Sequence, residues 1–185
     1  MSTGCGSKEI SKYLSYILRH KPDAIGLELD PEGWAEIDGL IAKAEITLDH
    51  DMLREIVATS DKQRFAISAD GLFIRANQGH SIAVDLGLTP VKPPEFLFHG
   101  TSTRFLQSIR EHGIRPQNRQ YVHLSSDREA AAKVGQRHGK PIVLEIAALA
   151  SERQGHEFFK AQNGVWLTKA IAPDAILDLN PTARA

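Results

Sequence analysis

The sequence predicts an α+β protein built from two parts, because the spacing of its apolar residues changes along the chain. Residues 7–59 carry apolar residues at intervals of three and four, as amphipathic helices do, whereas residues 64–75 alternate around an Asp-Gly pair. The second half alternates short strand-like and helix-like segments, which is typical of an α+β domain with mixed or antiparallel sheet.

A proline-rich segment separates the two parts. Three prolines fall between Thr89 and Glu95, which stops a helix and favours an extended connector. We therefore expect a first domain at residues 1–88, a linker at 89–95 and a second domain at 96–185.

The first domain is predicted to contain three helices followed by a hairpin. The helices are expected at residues 7–20, 35–45 and 49–59. Ser7 is a candidate N-cap, and Pro22 disfavours helix at the preceding residue, so the first helix should end near His20. Strands are expected at residues 64–68 and 72–75, because Asp-Gly favours a tight turn between them. Three short helices and a hairpin describe a winged-helix domain.

The second domain is predicted to contain short strands and two helices. Strands are expected at residues 96–98, 121–124, 141–147, 157–159, 165–168 and 175–179. Helices are expected at residues 103–112 and 126–137. Gly113 should end the first of these helices, and Ser126 with Glu129 forms a possible capping box for the second.

The composition is that of an ordinary globular protein. It is 42% hydrophobic and 24% charged, which argues against a disordered chain, a collagen or a coiled coil. No run approaches the ~20 apolar residues of a membrane-spanning helix, and residues 1–10 lack the apolar core of a signal peptide. The lone cysteine, Cys5, cannot form an internal disulfide. We therefore expect a cytoplasmic protein without a membrane partner, and a monomer.

The charge is unevenly distributed. The net charge is −1, but residues 1–90 carry 9 Lys and Arg against 14 Asp and Glu, whereas residues 91–185 carry 13 against 9. A polyanion would therefore be bound by a local arginine cluster rather than by the whole surface.

Several common catalytic motifs are absent from the sequence. It contains no P-loop, no G-x-G-x-x-G and no G-x-S-x-G, and its single cysteine leaves no zinc spacing, so we expect no metal. Four features stand out: Arg19-His20, residues 60–65, residues 75–81, and the paired segments 99–101 and 121–125. Each alone also fits an ordinary structural role: a charged helix end, a solvated turn, a polar loop and core histidines.

Together these features resemble one family. The sequence blocks occur in order at residues 18–22, 61–65, 74–81, 98–101, 121–125 and 163–168. In this arrangement the sequence closely resembles the NAD-dependent RNA 2′-phosphotransferases from about Ser11 to Leu179. The resemblance implies an N-terminal winged-helix-like RNA lobe and a C-terminal, mixed-sheet ADP-ribosyltransferase-like lobe that binds NAD as co-substrate.

The resemblance also implies a two-step reaction. An internal 2′-phosphate of a tRNA-like RNA attacks C1″ of the ribose of NAD+ and releases nicotinamide. Attack of O2″ on the phosphate of the resulting RNA–2′-phospho-ADP-ribose then gives 2′-hydroxyl RNA and ADP-ribose 1″,2″-cyclic phosphate. The family's role in tRNA splicing suggests a 2′-phosphorylated RNA as the partner.

The family's essential set falls here on four residues, Arg19, His20, Arg64 and Arg119. Arginines provide permanent charge and bidentate contacts for a dianionic phosphate, and they stabilise the charge that develops on it. His20 is expected to hydrogen-bond the phosphate or to move a proton. The sequence leaves these two roles open.

The resemblance also assigns residues to NAD and RNA. NAD would be bound by His99, Gly100, Thr101, His123, Ser125 and Val165. Val165 stands where protein-modifying relatives carry a catalytic Glu, which suits an acceptor that is already anionic and needs no general base. RNA contacts are expected from Lys62, Gln63, Gln78, Gly79, His80 and Ser81, with Asn77 beside them at the RNA-side wall or the lobe junction.

Two other functions fit parts of the sequence. One is an ADP-ribosyltransferase that modifies a terminal nucleic-acid phosphate or a small acceptor and leaves ADP-ribose on the product. The other is a winged-helix regulator without enzymatic activity, which would need a basic recognition helix. Residues 35–45 carry one Lys and three acidic residues, so the regulator is disfavoured. Three arginines drawn from both halves favour phosphate processing.

Overall fold

The structure, a computed structural model, describes residues 6–60, 62–177 and 179. Cys5 and Asp61 lie outside this set, as does part of the strand expected at residues 175–179. The chain is α+β and divides into two compact units, Met1–Gly87 and Leu88–Ala185. We call them unit 1 and unit 2.

Unit 1 contains three helices and a small sheet. The helices are α1 (Ser7–Arg19), α2 (Ile37–Lys43) and α3 (His50–Thr59), and the strands are β1 (Ala35–Glu36), β2 (Phe65–Ile67) and β3 (Phe73–Ala76). The strands are antiparallel in the order β1-β3-β2. The core is formed by the apolar face of α1 together with residues such as Leu40, Leu53 and Phe65. Burial of this face stabilises helices that are too short to persist alone.

The helix predictions for unit 1 are confirmed with small corrections. The first helix ends at Arg19 as expected, but its N-cap is Gly6, so the assignment of Ser7 as the cap is wrong. The second helix is shorter than expected because Ala35 and Glu36 pair with β3. The third begins behind Asp49, whose carboxylate accepts a hydrogen bond from the amide of Met52 at 2.7 Å.

Unit 2 contains two small sheets joined by short helices. The strands are β4 (Leu97–Ser102), β5 (Val122–Leu124), β6 (Pro141–Ile146), β7 (Phe158–Lys160) and β8 (Trp166–Thr168), and the helices are α4 (Leu106–His112), α5 (Arg128–Gly135) and α6 (Ala148–Arg153). β4 pairs with β6, and β5 pairs with β8, which pairs with β7, always antiparallel. A bridge between Phe98 and Ser125 links the two sheets. Antiparallel pairing is thus present among the described strands of both units.

Two expectations for unit 2 are wrong, the capping box of the second helix and the number of helices. The capping box at Ser126 and Glu129 is absent: Asp127 is the N-cap of α5, and its carboxylate accepts from the amide of Glu129 at 2.8 Å. The described part of the strand expected at 175–179 pairs with β6: Ile176 bridges Ile146, and the amide of Leu177 donates to the carbonyl of Glu145 at 2.9 Å, directly after a 3₁₀ turn at Pro173–Ala175. Helix α6 was not expected, because six residues are too few for a clear helical period.

The proline-rich segment lies within unit 2. The amide of Val91 donates to the carbonyl of Phe158 at 2.7 Å, and Pro90 forms a bridge with Phe159. This contact adds backbone at the edge of β7. Among the described residues, none of the helices is both long and apolar enough to cross a membrane.

Candidate functional site

The predicted pair Arg19 and His20 lies at the C-terminal end of α1, where one loop residue holds both. The amide of Ser81 donates to the carbonyl of Arg19 at 3.0 Å. The hydroxyl of Ser81 lies 2.9 Å from Nδ1 of His20. Ser81 therefore caps the helix end and orients the imidazole at the same time.

The guanidinium of Arg19 lies between three neighbours. Its Nη2 donates to the carbonyl of Arg64 at 3.3 Å, and its central carbon lies 5.7 Å from the centroid of the Phe65 ring. Gly79 has φ +91°, and a Cβ there would lie 3.5 Å from Nη1 of Arg19. The guanidinium is thus held against backbone and aromatic surface, which limits the directions in which it can point.

The backbone before Arg64 has an unusual conformation. Gln63 has φ +39°, one of two positive φ values at non-glycine residues in the described chain. Asn77 binds this segment twice: its Nδ2 donates to the carbonyl of Gln63 at 2.6 Å and its amide to the carbonyl of Arg64 at 2.9 Å. The backbone of Arg64 therefore lies beside the guanidinium of Arg19, and residues 77–81 contact both this backbone and the pair Arg19 and His20.

His80 lies beneath this group, in the interior of unit 1. It is 1% exposed, and neither ring nitrogen has a hydrogen-bond partner among the described residues. Burial, followed by repulsion from Arg19, His20 and Arg75, lowers the pKa of His80 to about 4. The ring is therefore neutral at pH 7, and its depth favours an indirect role over direct contact with RNA.

Arg75 adds another buried cation; it begins the predicted polar segment 75–81, but no role was predicted for it. Its guanidinium carbon stands 4.5 Å from the centroid of the Trp34 ring, and Nη1 lies 3.8 Å from a carboxylate oxygen of Glu32. Arg75 is the last residue of the strand predicted at 72–75, where alternation with Ile74 assigns it to the surface. Arg19, His20 and Arg75 all repel a proton on His80, so this part of unit 1 is suited to binding an anion.

Most of the other residues predicted to contact RNA are more accessible than His80. Lys62 and Gln63 are exposed, as is Ser81, while Gln78 is half-buried. Gly79 is buried against Arg19. Lys62 and Gln63 therefore lie on the surface, whereas Gly79 and Ser81 contact the predicted catalytic pair.

In unit 2, the two predicted histidines are neighbours. His99 lies in β4 and its Nδ1 is 3.1 Å from the carbonyl of His123 in β5. The bridge between Phe98 and Ser125 brings the two strands together at this point, with amide-to-carbonyl distances of 2.8 and 2.9 Å. Both imidazoles are half-buried, as is Ser125. They provide polar groups where the two sheets of unit 2 meet.

Gly100 has a packing role that the sequence did not indicate. A Cβ there would overlap the carbonyl oxygen of Ala131 in α5. A Cβ on Gly135 would likewise lie 2.6 Å from the carbonyl oxygen of Thr101. The two glycines let the backbone of α5 pack directly on β4. Thr101 is 6% exposed at this contact.

Val165 and Arg119 complete the predicted set in unit 2. Val165 is half-buried and packs against the cluster of Phe159 and Leu167. Arg119 lies before β5, where its amide donates to the carbonyl of Pro116 at 3.1 Å. The residue is exposed overall, but surrounding protein atoms desolvate its guanidinium. This desolvation, and then repulsion from Arg137, lowers the pKa of Arg119. A desolvated arginine gains from binding an anion.

Within the described part of the chain, no group of three or more His, Cys, Asp or Glu side chains could hold a metal ion. The clustered functional groups of unit 1 are arginines, histidines and amides.

Comparison with known proteins extends these observations. A family model described as "RNA 2′-phosphotransferase, Tpt1 / KptA family" matches residues 6–170. The chain is 55% identical over 177 residues to a "Probable RNA 2′-phosphotransferase" of Pectobacterium carotovorum, covering 94% of this chain and 95% of the relative. It is 56% identical to a protein of that name from Agrobacterium fabrum over 89% of this chain and 90% of the relative. The chain is also 53% identical to a protein of the same name from Pseudomonas aeruginosa, over 88% of this chain and 92% of the relative.

Proposed function

Because the chain belongs to the RNA 2′-phosphotransferase, Tpt1 / KptA family, a family of transferases, we propose that it moves an internal 2′-phosphate from an RNA to NAD+. The observation that carries this proposal is that Arg19 and His20 lie beside the backbone of Arg64, 45 residues after Arg19, with residues 77–81 in contact with all three. Arginines on neighbouring segments are suited to binding an anion, because each can form charge-assisted hydrogen bonds with it.

We assign RNA binding to unit 1 and NAD binding to unit 2. In unit 1, the three helices and the antiparallel hairpin of β2 and β3 are consistent with a winged-helix-like lobe. In unit 2, the antiparallel strands around His99 and His123 are consistent with an ADP-ribosyltransferase-like lobe. His99, His123 and Ser125 offer hydrogen bonds that suit the hydroxyl groups of a dinucleotide.

In the first step, an oxygen of the 2′-phosphate attacks C1″ of the nicotinamide ribose, and the bond between C1″ and the nicotinamide nitrogen breaks. Arg19 and Arg64 hold the phosphate, and Arg119 is the third proposed contact. A phosphate oxygen is already anionic, so the step needs no general base. Val165 in place of a carboxylate avoids repulsion of this nucleophile.

In the second step, O2″ of the ribose attacks the same phosphorus and the bond to the RNA 2′-oxygen breaks. The products are 2′-hydroxyl RNA and ADP-ribose 1″,2″-cyclic phosphate. The arginines stabilise the negative charge of the transition state. His20, oriented through Nδ1 by Ser81, moves the proton from O2″ to the leaving 2′-oxygen. His80 is neutral at pH 7 and acts only indirectly, from the interior of unit 1.

A single-turnover assay tests the proposal. The substrate is a short RNA with one internal 2′-phosphate, incubated with and without NAD+. Loss of the phosphate and release of the cyclic product only with NAD+ are expected. Replacing Arg19, Arg64 or Arg119 by Ala should each slow the reaction at least about 100-fold. Arg54→Ala is the matched control, since Arg54 is exposed and pairs only at 3.4 Å with Asp51 on the same helix.

Two results would contradict this function. Unchanged 2′-phosphorylated RNA in the presence of NAD+ would exclude the transferase reaction on this substrate. Accumulation of ADP-ribosylated RNA without the cyclic product would instead indicate an ADP-ribosyltransferase that stops after the first step.

A further inference from the structure

Three hydrogen-bond donors converge on the carbonyl groups of Gln63 and Arg64. Nδ2 of Asn77 lies 2.6 Å from the carbonyl oxygen of Gln63. The amide of Asn77 lies 2.9 Å from that of Arg64, which also accepts from the guanidinium of Arg19 at 3.3 Å. One residue, Asn77, therefore binds both of these consecutive carbonyls.

The conformation that these bonds hold is unfavourable by itself. Gln63 has φ +39°, in the left-handed region where a side chain meets its own backbone. Its amide donates to the carbonyl of Ser60 at 2.9 Å, which closes a turn but leaves the direction of the next peptide open. Two contacts hold this peptide: the amide of Arg64 donates to Oγ of Ser60 at 3.5 Å, and Nδ2 of Asn77 donates to the Gln63 carbonyl at 2.6 Å. The shorter bond is the one from Asn77, which is only 8% exposed.

The two polar atoms of the Asn77 side chain, Oδ1 and Nδ2, differ in their hydrogen bonding. Its Oδ1 is buried and has no hydrogen-bond partner among the described residues, whereas Nδ2 makes the 2.6 Å bond to Gln63. A buried acceptor without a partner is unfavourable, so an apolar residue would serve better if packing were the only requirement. The donor of Asn77 is therefore the functional half of the amide.

We propose that Asn77 is a positioning residue for phosphate transfer. It holds Gln63 in the left-handed conformation, so that the side chains of Arg64 and Arg19 are directed toward the same phosphate. Without its donor, Gln63 returns to negative φ and the peptide before Arg64 rotates. The Arg64 carbonyl keeps its bond from the Asn77 amide, so the rotation changes the direction of the Arg64 side chain relative to the Arg19 guanidinium. This inference rests on the proposed function, because it assigns the two arginines to one phosphate.

The position of Gln63 on the surface allows a test that leaves the core intact. Gln63→Gly and Gln63→Val both remove the exposed side chain, but glycine adopts positive φ freely and valine does not. In the single-turnover assay with 2′-phosphorylated RNA and NAD+, we expect Gln63→Val to be about tenfold slower than Gln63→Gly. Asn77→Ala should slow phosphate transfer by about tenfold or more. Adding Gln63→Gly to this variant should raise its transfer rate about fivefold.

The same variants are compared by binding of the 2′-phosphorylated RNA without NAD+. Asn77→Ala should lower the affinity of the protein for the 2′-phosphorylated RNA, while its affinity for the 2′-hydroxyl RNA should not change. Asn77→Asp, which presents an acceptor to the Gln63 carbonyl, should be worse than Asn77→Ala. Gln107→Ala, an exposed amide on α4, is the matched control and should behave as the unaltered protein.

The outcomes separate the two proposals. If the unaltered protein neither binds nor processes 2′-phosphorylated RNA, the proposed function fails, and with it this role. If the protein is active but the glycine and valine variants at position 63 are equally slow, Gln63 acts through its side chain and the positioning role is refuted. Equal rates for Asn77→Ala and the unaltered protein, or no restoration by Gln63→Gly, would also refute it.

Discussion

Acidification should destabilise unit 1 through His80. Burial and then repulsion from Arg19, His20 and Arg75 lower the pKa of this ring from 6.5 to about 4, while Glu32 is the carboxylate beside Arg75. In the unfolded chain the ring takes up a proton near pH 6.5, whereas in the folded chain it stays neutral down to about pH 4. The unfolded state binds more protons across this window, so the free energy of unfolding falls as the pH falls.

The size of the effect follows from the two pKa values. Each pH unit between them reduces the free energy of unfolding by about 1.4 kcal/mol, so the loss reaches about 3 kcal/mol near pH 4. Above pH 6.5 the ring is neutral in both states, and His80 then contributes no pH dependence. This loss is a large share of the stability of a small domain.

Hydrogen exchange of the α1 amides, measured between about pH 7 and pH 4.5, reports the opening free energy of unit 1. The unaltered protein should lose stability more steeply than His80→Gln, which cannot titrate. An NMR titration of the His80 ring protons provides a second measurement, and they should not shift above about pH 5. Titration of this ring near pH 6.5, or the same pH dependence in both proteins, would refute the reasoning.

Three further substitutions test individual contacts. Gly79→Ala places a side chain at φ +91°, so it should cost about 1–3 kcal/mol in thermal unfolding and slow RNA phosphate transfer; an unchanged melting temperature would contradict this. Ser81→Ala removes the 2.9 Å contact to Nδ1 of His20 and should lower kcat several-fold with less than about 1 kcal/mol lost in stability, whereas Ser108→Ala, an exposed serine, should leave kcat unchanged. Gly100→Ala forces α5 away from β4 and should cost at least about 4 kcal/mol, seen as loss of the circular-dichroism melting transition of unit 2; a folded variant of normal stability would show that α5 can move.

The regular elements were largely predictable because their signals are local. The apolar spacing in α1 and the Asp-Gly turn before β3 each lie within a few residues of what they determine. Errors occurred where two local signals competed. Ser126 and Asp127 both precede α5 and either can cap it, and the structure uses Asp127.

The candidate site was predictable only as a set of residues, since its geometry depends on contacts distant in sequence. Arg19 contacts the carbonyl of Arg64, 45 residues away, and His20 contacts Ser81, 61 residues away. No spacing rule predicts that Asn77 binds the Gln63 carbonyl or that His80 lies in the interior. The packing of α5 on Gly100 was likewise hidden, because a glycine in a strand has several explanations.

The order of these contacts along the chain has a consequence for synthesis. Arg19 and His20 leave the ribosome first and Arg64 follows, but the residues that hold them, from Asn77 to Ser81, come near the end of unit 1. A nascent chain that has not reached Asn77 carries all three basic side chains without the bonds that arrange them. The part of the proposed phosphate site that lies in unit 1 is therefore arranged only after residues 77–81 have been synthesised.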